Sequence, residues 1–166
     1  MCIRDSISTG LRQHKFGVPI TEARELYRRA AGKQWLDPIG VSVHIGSQIT
    51  DVKPFGETME RVLTLIRQLR EDGLNISFVD AGGGLGIRYQ NASPTQRERS
   101  IRQYAQALIR PLRGGGLHLL LEPGRSIVAA AGALITRALY AKENGGKQFL
   151  IVDAAMNDLI LSLIHI

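Results

Sequence analysis

Cysteine is almost absent from this sequence, which has only Cys2 among its 166 residues. Cys2 lies in the opening hexapeptide MCIRDS, and the chain closes on LSLIHI. One back-translation of MCIRDS has a reverse complement that encodes LSLIHI, so we interpret residues 1–6 and 161–166 as adapter scars. We therefore expect a natural segment, 7–160, that was cut at both ends and has no cysteine. Within it the sequence excludes a disulfide, a thiolate metal site and a cysteine nucleophile, and we predict no metal site.

Long apolar runs and dense basic runs are absent as well. No apolar run reaches the roughly 18 residues that span a membrane. No run of five basic residues occurs, and aromatic residues make up only 5% of the chain. The net charge of +6 could suit nucleic acid, but the arginines are scattered along predicted helix faces. They include Arg61, Arg67, Arg70, Arg97, Arg99 and Arg102. We interpret these as solvated faces and expect neither a nucleic acid nor a membrane partner.

Three helices are predicted from apolar residues spaced three and four apart. The first follows Pro19, with Thr21 as its cap, and the second ends before Gly73, where a C′ glycine is expected. The third begins at Ser93-Pro94, and Gln96 completes a capping box. The clearest apolar stripe, that of the second helix, is Phe55, Met59, Val62, Ile66 and Leu69.

Three apolar runs of strand length alternate with these helices: 39–45, 76–79 and 117–121. The third run ends in Glu122-Pro123-Gly124-Arg125 and reads as a strand buried on both faces. Alternating strands and helices imply a parallel sheet. We therefore predict an α/β fold, with 7–131 forming the second part of a TIM-type β/α barrel, because a full barrel needs roughly 250 residues.

The pattern changes after the third strand. Residues 134–140 and 148–152 flank Asn144-Gly145-Gly146, which is typical of a β-hairpin. We place a domain boundary near residue 131 and predict that 132–160 begins an antiparallel β domain.

Each predicted strand ends in a chemically distinctive loop, at 44–48, 82–86 and 122–125. In a parallel barrel all three lie on one face. The glycine triplet from Gly82 lets backbone N–H groups converge on an anion such as phosphate, although a plain tight turn is the alternative. Taken singly, His44 could be a core histidine, and Glu122 with Arg125 a salt-bridged strand end. Neither a dinucleotide fingerprint nor a P-loop fits, because the third glycine and the Gly-Lys-Ser/Thr motif are missing.

Together these groups indicate a flat, phosphorylated ligand that contains nitrogen. Pyridoxal 5′-phosphate fits, because an imidazole can stack on its ring and a carboxylate can keep its pyridine nitrogen protonated.

Five ordered motifs, KFGV, HIGSQI, DAGGGLGI, EPGRSIVAAAG and VDAAMNDLI, resemble one family. It is that of the diaminopimelate decarboxylases, pyridoxal-phosphate enzymes with an alanine-racemase-like barrel. The resemblance covers 7–160 and implies cofactor contacts for eight residues. They are His44, Ser47, Gly82, Gly83, Gly84, Glu122, Gly124 and Arg125.

The resemblance also implies what these residues do. His44 would stack on the ring and Glu122 would pair with the pyridine nitrogen, which makes these two the catalytic contacts. Ser47, the three glycines and Gly124 would hold or flank the phosphate. Arg125 would lie beside the phosphate and also take a substrate carboxylate.

The activity implied is conversion of meso-2,6-diaminopimelate to L-lysine and CO2, in lysine biosynthesis, by a cytoplasmic homodimer. The family's Schiff-base lysine would precede residue 7, so we expect this chain alone to be inactive. Three alternatives remain open: a decarboxylase of the same fold for another basic amino acid or a carboxylated polyamine, a non-catalytic barrel that binds pyridoxal phosphate, and a phosphate-binding barrel unrelated to pyridoxal.

Overall fold

The computed structural model describes residues 17–89, 93–155, 157 and 158. Outside the described residues lie both terminal hexapeptides, as well as Lys15 of the motif KFGV and Met156 of the motif VDAAMNDLI. The chain forms two compact units, the first ending at Ile127 and the second beginning at Val128. The sequence-based boundary near residue 131 stays a prediction.

The first unit alternates helices and strands, as predicted. Its elements are α1 (Ile20–Ala31), β1 (Gly40–Ser42), α2 (Lys53–Glu71), β2 (Phe78–Asp80), α3 (Pro94–Leu112) and β3 (His118–Leu120). A short helix, α4 (Arg125–Val128), follows. The strands form one sheet in the order β1-β2-β3, and both pairings are parallel, with Val41 opposite Val79 and Val79 opposite Leu119. The predicted parallel α/β arrangement is confirmed.

The core of this unit is built from α2, α3 and the sheet. All five residues predicted for the second helix stripe are at most 1% exposed. Phe55 meets Tyr104 of α3 edge to face, with ring centroids 4.8 Å apart. Val79 of the central strand and Leu108 of α3 are fully buried. The spacing of apolar residues therefore identified the side chains that join the helices to the sheet.

Two of the three predicted helix ends match the structure. At α3, the Ser93 hydroxyl accepts from the Gln96 N–H, and the Gln96 side chain accepts from the Ser93 N–H. At the end of α2, Gly73 has a φ of +88°, the left-handed conformation that favours glycine. The Thr21 cap is wrong, because α1 already begins at Ile20 and the carbonyl of Pro19 accepts from the N–H groups of Glu22 and Ala23.

The interpretation of β3 as a strand buried on both faces is also wrong. His118 is exposed and Leu120 is 49% exposed. The reason is topological: among the described residues only β2 pairs with β3, which leaves β3 at the edge of the sheet.

Helices α1 and α2 are also joined by an ionic cluster that the sequence did not indicate. Arg24 and Arg28 each make two hydrogen bonds to the carboxylate of Asp72, at 2.7–2.9 Å. Hydrogen bonds from Arg24 and then Arg28 hold the pKa of the Asp72 carboxyl well below its ordinary value of 3.8. The six arginines interpreted as solvated are all exposed, but Arg70 differs from a purely solvated side chain, because its guanidinium donates to the carbonyls of Ile76 and Gly115.

The second unit contains the predicted hairpin, formed by β4 (Ala138–Asn144) and β5 (Lys147–Val152). Asn144 pairs with Lys147 across a two-residue turn, in which Gly145 and Gly146 have φ of +57° and +75°. A type I′ turn requires such positive φ values at both positions. The first strand begins at Ala138, four residues later than the apolar pattern suggested.

The described residues contain neither a membrane-spanning helix nor a cluster of metal ligands. No helix there is long and apolar enough to cross a membrane. The same residues contain no group of three or more His, Cys, Asp or Glu side chains that could hold a metal ion.

Candidate functional site

Three loops continue the parallel strands at their carboxyl ends, and backbone hydrogen bonds join them side by side. The N–H of Val43 donates to the backbone carbonyl of Asp80 at 2.9 Å, and the N–H of Glu122 donates to the carbonyl of Gly82 at 2.8 Å. Farther out, Ile49 donates to the carbonyl of Gly84 and accepts from Gly86, both at 2.9 Å. The loops therefore extend the sheet beyond its strands and form one surface.

The glycine triplet lies where the three neighbouring backbones come closest to one another. A Cβ placed on Gly83 would run into the carbonyl of Glu122, and one on Gly84 into the carbonyl of Gly46. A Cβ on Gly82 would lie 2.5 Å from the carbonyl oxygen of Val43, closer than real Cβ atoms come. Gly82 and Gly84 also have φ of +65° and +98°. Close approach by neighbouring loops thus requires all three glycines, whether or not an anion binds there.

The three amide groups of the triplet differ in what they donate to. The Gly82 N–H donates to the Asp80 carboxylate at 2.8 Å, and the same carboxylate accepts from the Ser42 hydroxyl at 3.2 Å. The Gly83 N–H makes only a long contact of 3.4 Å, to Nδ1 of His44. Within the described chain the Gly84 N–H donates to no hydrogen bond. Gly83 and Gly84 are therefore better able than Gly82 to donate to a bound anion.

The structure brings His44 and Glu122 to the same glycine. The backbone carbonyl of Glu122 packs on Gly83, whose N–H faces the His44 ring nitrogen. His44 is exposed, which excludes the alternative of a core histidine, and Glu122 is exposed too. The exposed His44 side chain and the backbone of the exposed Glu122 thus both lie next to Gly83.

Arg125 links the first and third loops. Its Nη2 donates to the Ser47 hydroxyl at 3.5 Å, and its Nη1 donates to the Tyr89 hydroxyl at 2.7 Å. Gly124, beside it, is exposed, and a Cβ there would meet nothing within 4 Å. The eight residues selected from the sequence therefore lie on one set of adjoining loops, and their roles stay predictions.

Three residues at these loops were not selected from the sequence. The Asp80 carboxylate accepts from the Gly82 N–H, and the Tyr89 hydroxyl accepts from Arg125. Gln48 has a φ of +60°, and its amide group makes two hydrogen bonds with the backbone of Ile87, of 2.7 and 3.2 Å. The polar Gln48 in a glycine-containing loop was a usable signal, whereas nothing in the local pattern distinguished Tyr89.

Parallel strands followed by helices, with a polar site at the carboxyl ends of the strands, define this unit as a β/α sheet of the barrel class. Residues 3–129 match the family model described as "Pyridoxal-dependent decarboxylase, pyridoxal binding domain". The chain therefore belongs to the pyridoxal-dependent decarboxylases, through their pyridoxal binding domain.

Individual relatives agree with this assignment. The chain is 49% identical to a diaminopimelate decarboxylase of Pseudomonas aeruginosa over 93% of its own length and 36% of the relative's. The Aquifex aeolicus diaminopimelate decarboxylase is 43% identical, over 96% of this chain and 37% of that one. The crystal structure of the Helicobacter pylori diaminopimelate decarboxylase complexed with L-lysine superposes with a TM-score of 0.72, at 42% identity, over 93% of this chain and 38% of that one. The chain thus spans little more than a third of the length of these relatives.

Proposed function

We propose that this chain is part of a longer pyridoxal-phosphate enzyme that decarboxylates meso-2,6-diaminopimelate to L-lysine. The observation that carries the proposal is that the His44 ring and the Glu122 backbone both approach Gly83, where the three loops lie side by side. Relatives of 42–49% identity named diaminopimelate decarboxylase support the reaction. A cytoplasmic homodimer working in lysine biosynthesis is part of the same proposal.

The donor set suits the cofactor. Pyridoxal phosphate presents a dianionic phosphate, a flat ring and a pyridine nitrogen, and when bound it supplies a sink for the electrons left behind as CO2 departs. We assign the phosphate to the N–H groups of Gly83 and Gly84, with Ser47 and Arg125 beside it. Gly82 shapes the backbone that presents these groups, and Gly124 flanks the phosphate next to Arg125. Backbone N–H groups in a concave turn are an established way to bind phosphate.

His44 and Glu122 are assigned to the ring. The exposed imidazole of His44 can lie against the flat ring, and the carboxylate of Glu122 can accept a hydrogen bond from the protonated pyridine nitrogen. Holding that proton makes the ring a stronger electron acceptor. Both residues therefore act on the cofactor, and Arg125 can also pair with a substrate carboxylate because its guanidinium offers two parallel donors.

The substrate class follows from the degree of similarity. A lysine/ornithine decarboxylase of Vibrio vulnificus, solved with putrescine, is 28% identical over 86% of this chain and 38% of that one, with a TM-score of 0.64. The diaminopimelate enzymes are considerably more similar, so we propose diaminopimelate as the substrate.

The test uses the full-length protein that contains this chain. We expect pyridoxal phosphate to bind with a new absorbance band, and diaminopimelate to be converted to lysine and CO2, with neither lysine nor ornithine consumed. Glu122→Gln should keep the cofactor and lose most of the turnover, whereas the exposed Glu98→Gln on α3 should keep both. Turnover of lysine or ornithine instead would contradict the substrate, and cofactor binding without turnover would favour a non-catalytic carrier.

The 166-residue chain by itself should not turn over diaminopimelate. The chain's lysines within the described residues are Lys33, Lys53, Lys142 and Lys147, and none of them lies on the three loops. A Schiff-base lysine must therefore come from elsewhere. Lysine formed by the isolated chain would contradict this expectation.

A further inference from the structure

Tyr89 lies three residues after the second loop, and its hydroxyl accepts a short hydrogen bond from Arg125. The hydrogen bond from Nη1 of Arg125 to the Tyr89 hydroxyl is 2.7 Å, whereas the contact from Nη2 to Ser47 is 3.5 Å. The guanidinium is planar and rigid, so holding one Nη restricts where the other can point. Tyr89 is thus placed to set the orientation in which Arg125 meets Ser47.

The backbone that carries Tyr89 is itself anchored. Ile87, two residues earlier, is held on both its N–H and its carbonyl by the amide group of Gln48. Gln48 directly follows Ser47 in the first loop. Two adjacent residues of the first loop therefore act on this contact. Gln48 holds the backbone near Tyr89, and Ser47 presents its own hydroxyl to Arg125.

The chemistry of the phenol matters for what Arg125 can bind. A phenol hydroxyl accepts a hydrogen bond from the guanidinium without neutralising its positive charge. A carboxylate in this place would form an ion pair with Arg125 and compete with an incoming anion. Tyr89 can therefore position the guanidinium without itself neutralising its positive charge.

We propose that Tyr89 is a positioning residue that holds the Arg125 guanidinium beside Ser47 to receive an oxyanion, either the cofactor phosphate or a substrate carboxylate. This inference rests on the proposed function, because it assumes that Arg125 faces those ligands. It adds a residue that follows the second loop to a contact that the first and third loops already share.

The experiment compares Tyr89→Phe with Tyr27→Phe in the full-length protein. The Tyr27 hydroxyl also makes a 2.7 Å hydrogen bond, to the carbonyl of Gly40, but at the amino end of β1, away from the loops. Both variants lose one hydroxyl and one hydrogen bond of equal length. The readouts are the Kd for pyridoxal phosphate, KM and kcat for diaminopimelate, and the thermal midpoint.

Tyr89→Phe should weaken oxyanion binding by about three- to tenfold, because a hydrogen bond to a charged group is lost at a partly exposed site. A higher Kd for pyridoxal phosphate would assign the phosphate, and a higher KM at unchanged Kd would assign the substrate carboxylate. In either case kcat should stay within about twofold, and Tyr27→Phe should leave Kd and KM within about twofold of the parent.

A double-mutant cycle separates positioning from general stabilisation. With Arg125→Lys in place, Tyr89→Phe should have less than about a twofold further effect, because the two residues act as a unit. Arg125→Gln replaces Arg125→Lys if the latter does not fold. The inference would be overturned if the fold-changes of the two single variants multiplied in the double variant. It would also be overturned if Tyr89→Phe behaved like Tyr27→Phe in an active enzyme. Neither result would contradict the proposed function. A full-length protein that binds no pyridoxal phosphate would overturn the proposed function and this inference with it.

Discussion

The first unit has two layers that hold together in opposite ways. Below, α2 and α3 pack on the sheet through large apolar side chains, among which Leu69, Val79 and Leu108 are fully buried. Above, the loops at the strand ends meet through backbone, where Gly83 and Gly84 have no room for a Cβ. The lower layer is therefore held together by large side chains that fill space. The upper layer is held together by backbones that can touch only where there is no side chain.

This difference decides how each layer tolerates change. An apolar core gains free energy in proportion to the area that it buries, and residues of similar size can replace one another at modest cost. Where two backbones touch, any side chain must push them apart and break the hydrogen bonds between them. The layer that carries the candidate site is therefore the less tolerant of added atoms.

The largest expected effect comes from removing volume in the lower layer. Leu108→Ala should lower the free energy of unfolding by about 2–5 kcal/mol, because it loses buried area and leaves a cavity. The neighbouring Ile109→Ala is the matched control, since Ile109 is 46% exposed and should change stability by less than about 0.5 kcal/mol. Denaturant unfolding measures both, and equal losses would contradict the assignment of the core.

Adding volume in the upper layer should have the next largest effect. Gly83→Ala should cost about 1–3 kcal/mol of stability through overpacking against the Glu122 carbonyl, and should weaken pyridoxal-phosphate binding. Gly32→Ala adds the same methyl group where the nearest atom would be 3.8 Å away. Thermal unfolding and cofactor titration of the two variants test this, and a Gly83→Ala protein with parental cofactor affinity would break the comparison.

The smallest expected effect concerns the ionic cluster of Arg24, Arg28 and Asp72, which depends on charge and not on how tightly side chains or backbones pack. Because the pKa of Asp72 is lower in the folded chain than its ordinary 3.8, its pairs with Arg24 and Arg28 stabilise the fold above that pH. This contribution is lost as pH falls through the lower, folded value. Asp72→Asn should therefore be less stable than the parent at pH 7, and the difference should shrink below pH 3.8.

The measurement is the thermal midpoint of both proteins across the acid range, with the exposed Asp37→Asn as control. A stability difference for Asp72→Asn that does not change with pH would show that the cluster is not electrostatic.

Sequence patterns predicted the helices, the caps and the turn much better than they predicted which residues each element contacts in the fold. The stripe of α2, the capping box of α3 and the Gly145-Gly146 turn follow from local rules of spacing and backbone conformation, so they could be predicted. The exposure of β3 could not, because an apolar run does not reveal which strands pair beside it. The Arg24–Asp72 contact joins residues 48 apart in the chain, and no local pattern encodes it.

The candidate site, too, has features that the sequence predicts and features that only the tertiary structure shows. The order of loops after parallel strands placed His44, the glycines and Glu122 on one edge, and that much was determined by the sequence alone, because parallel strands align their carboxyl ends. Only the tertiary structure decided why the glycines are needed, which amide groups are already engaged, and that Tyr89 reaches Arg125. These depend on distances between loops that the chain brings together only when it folds.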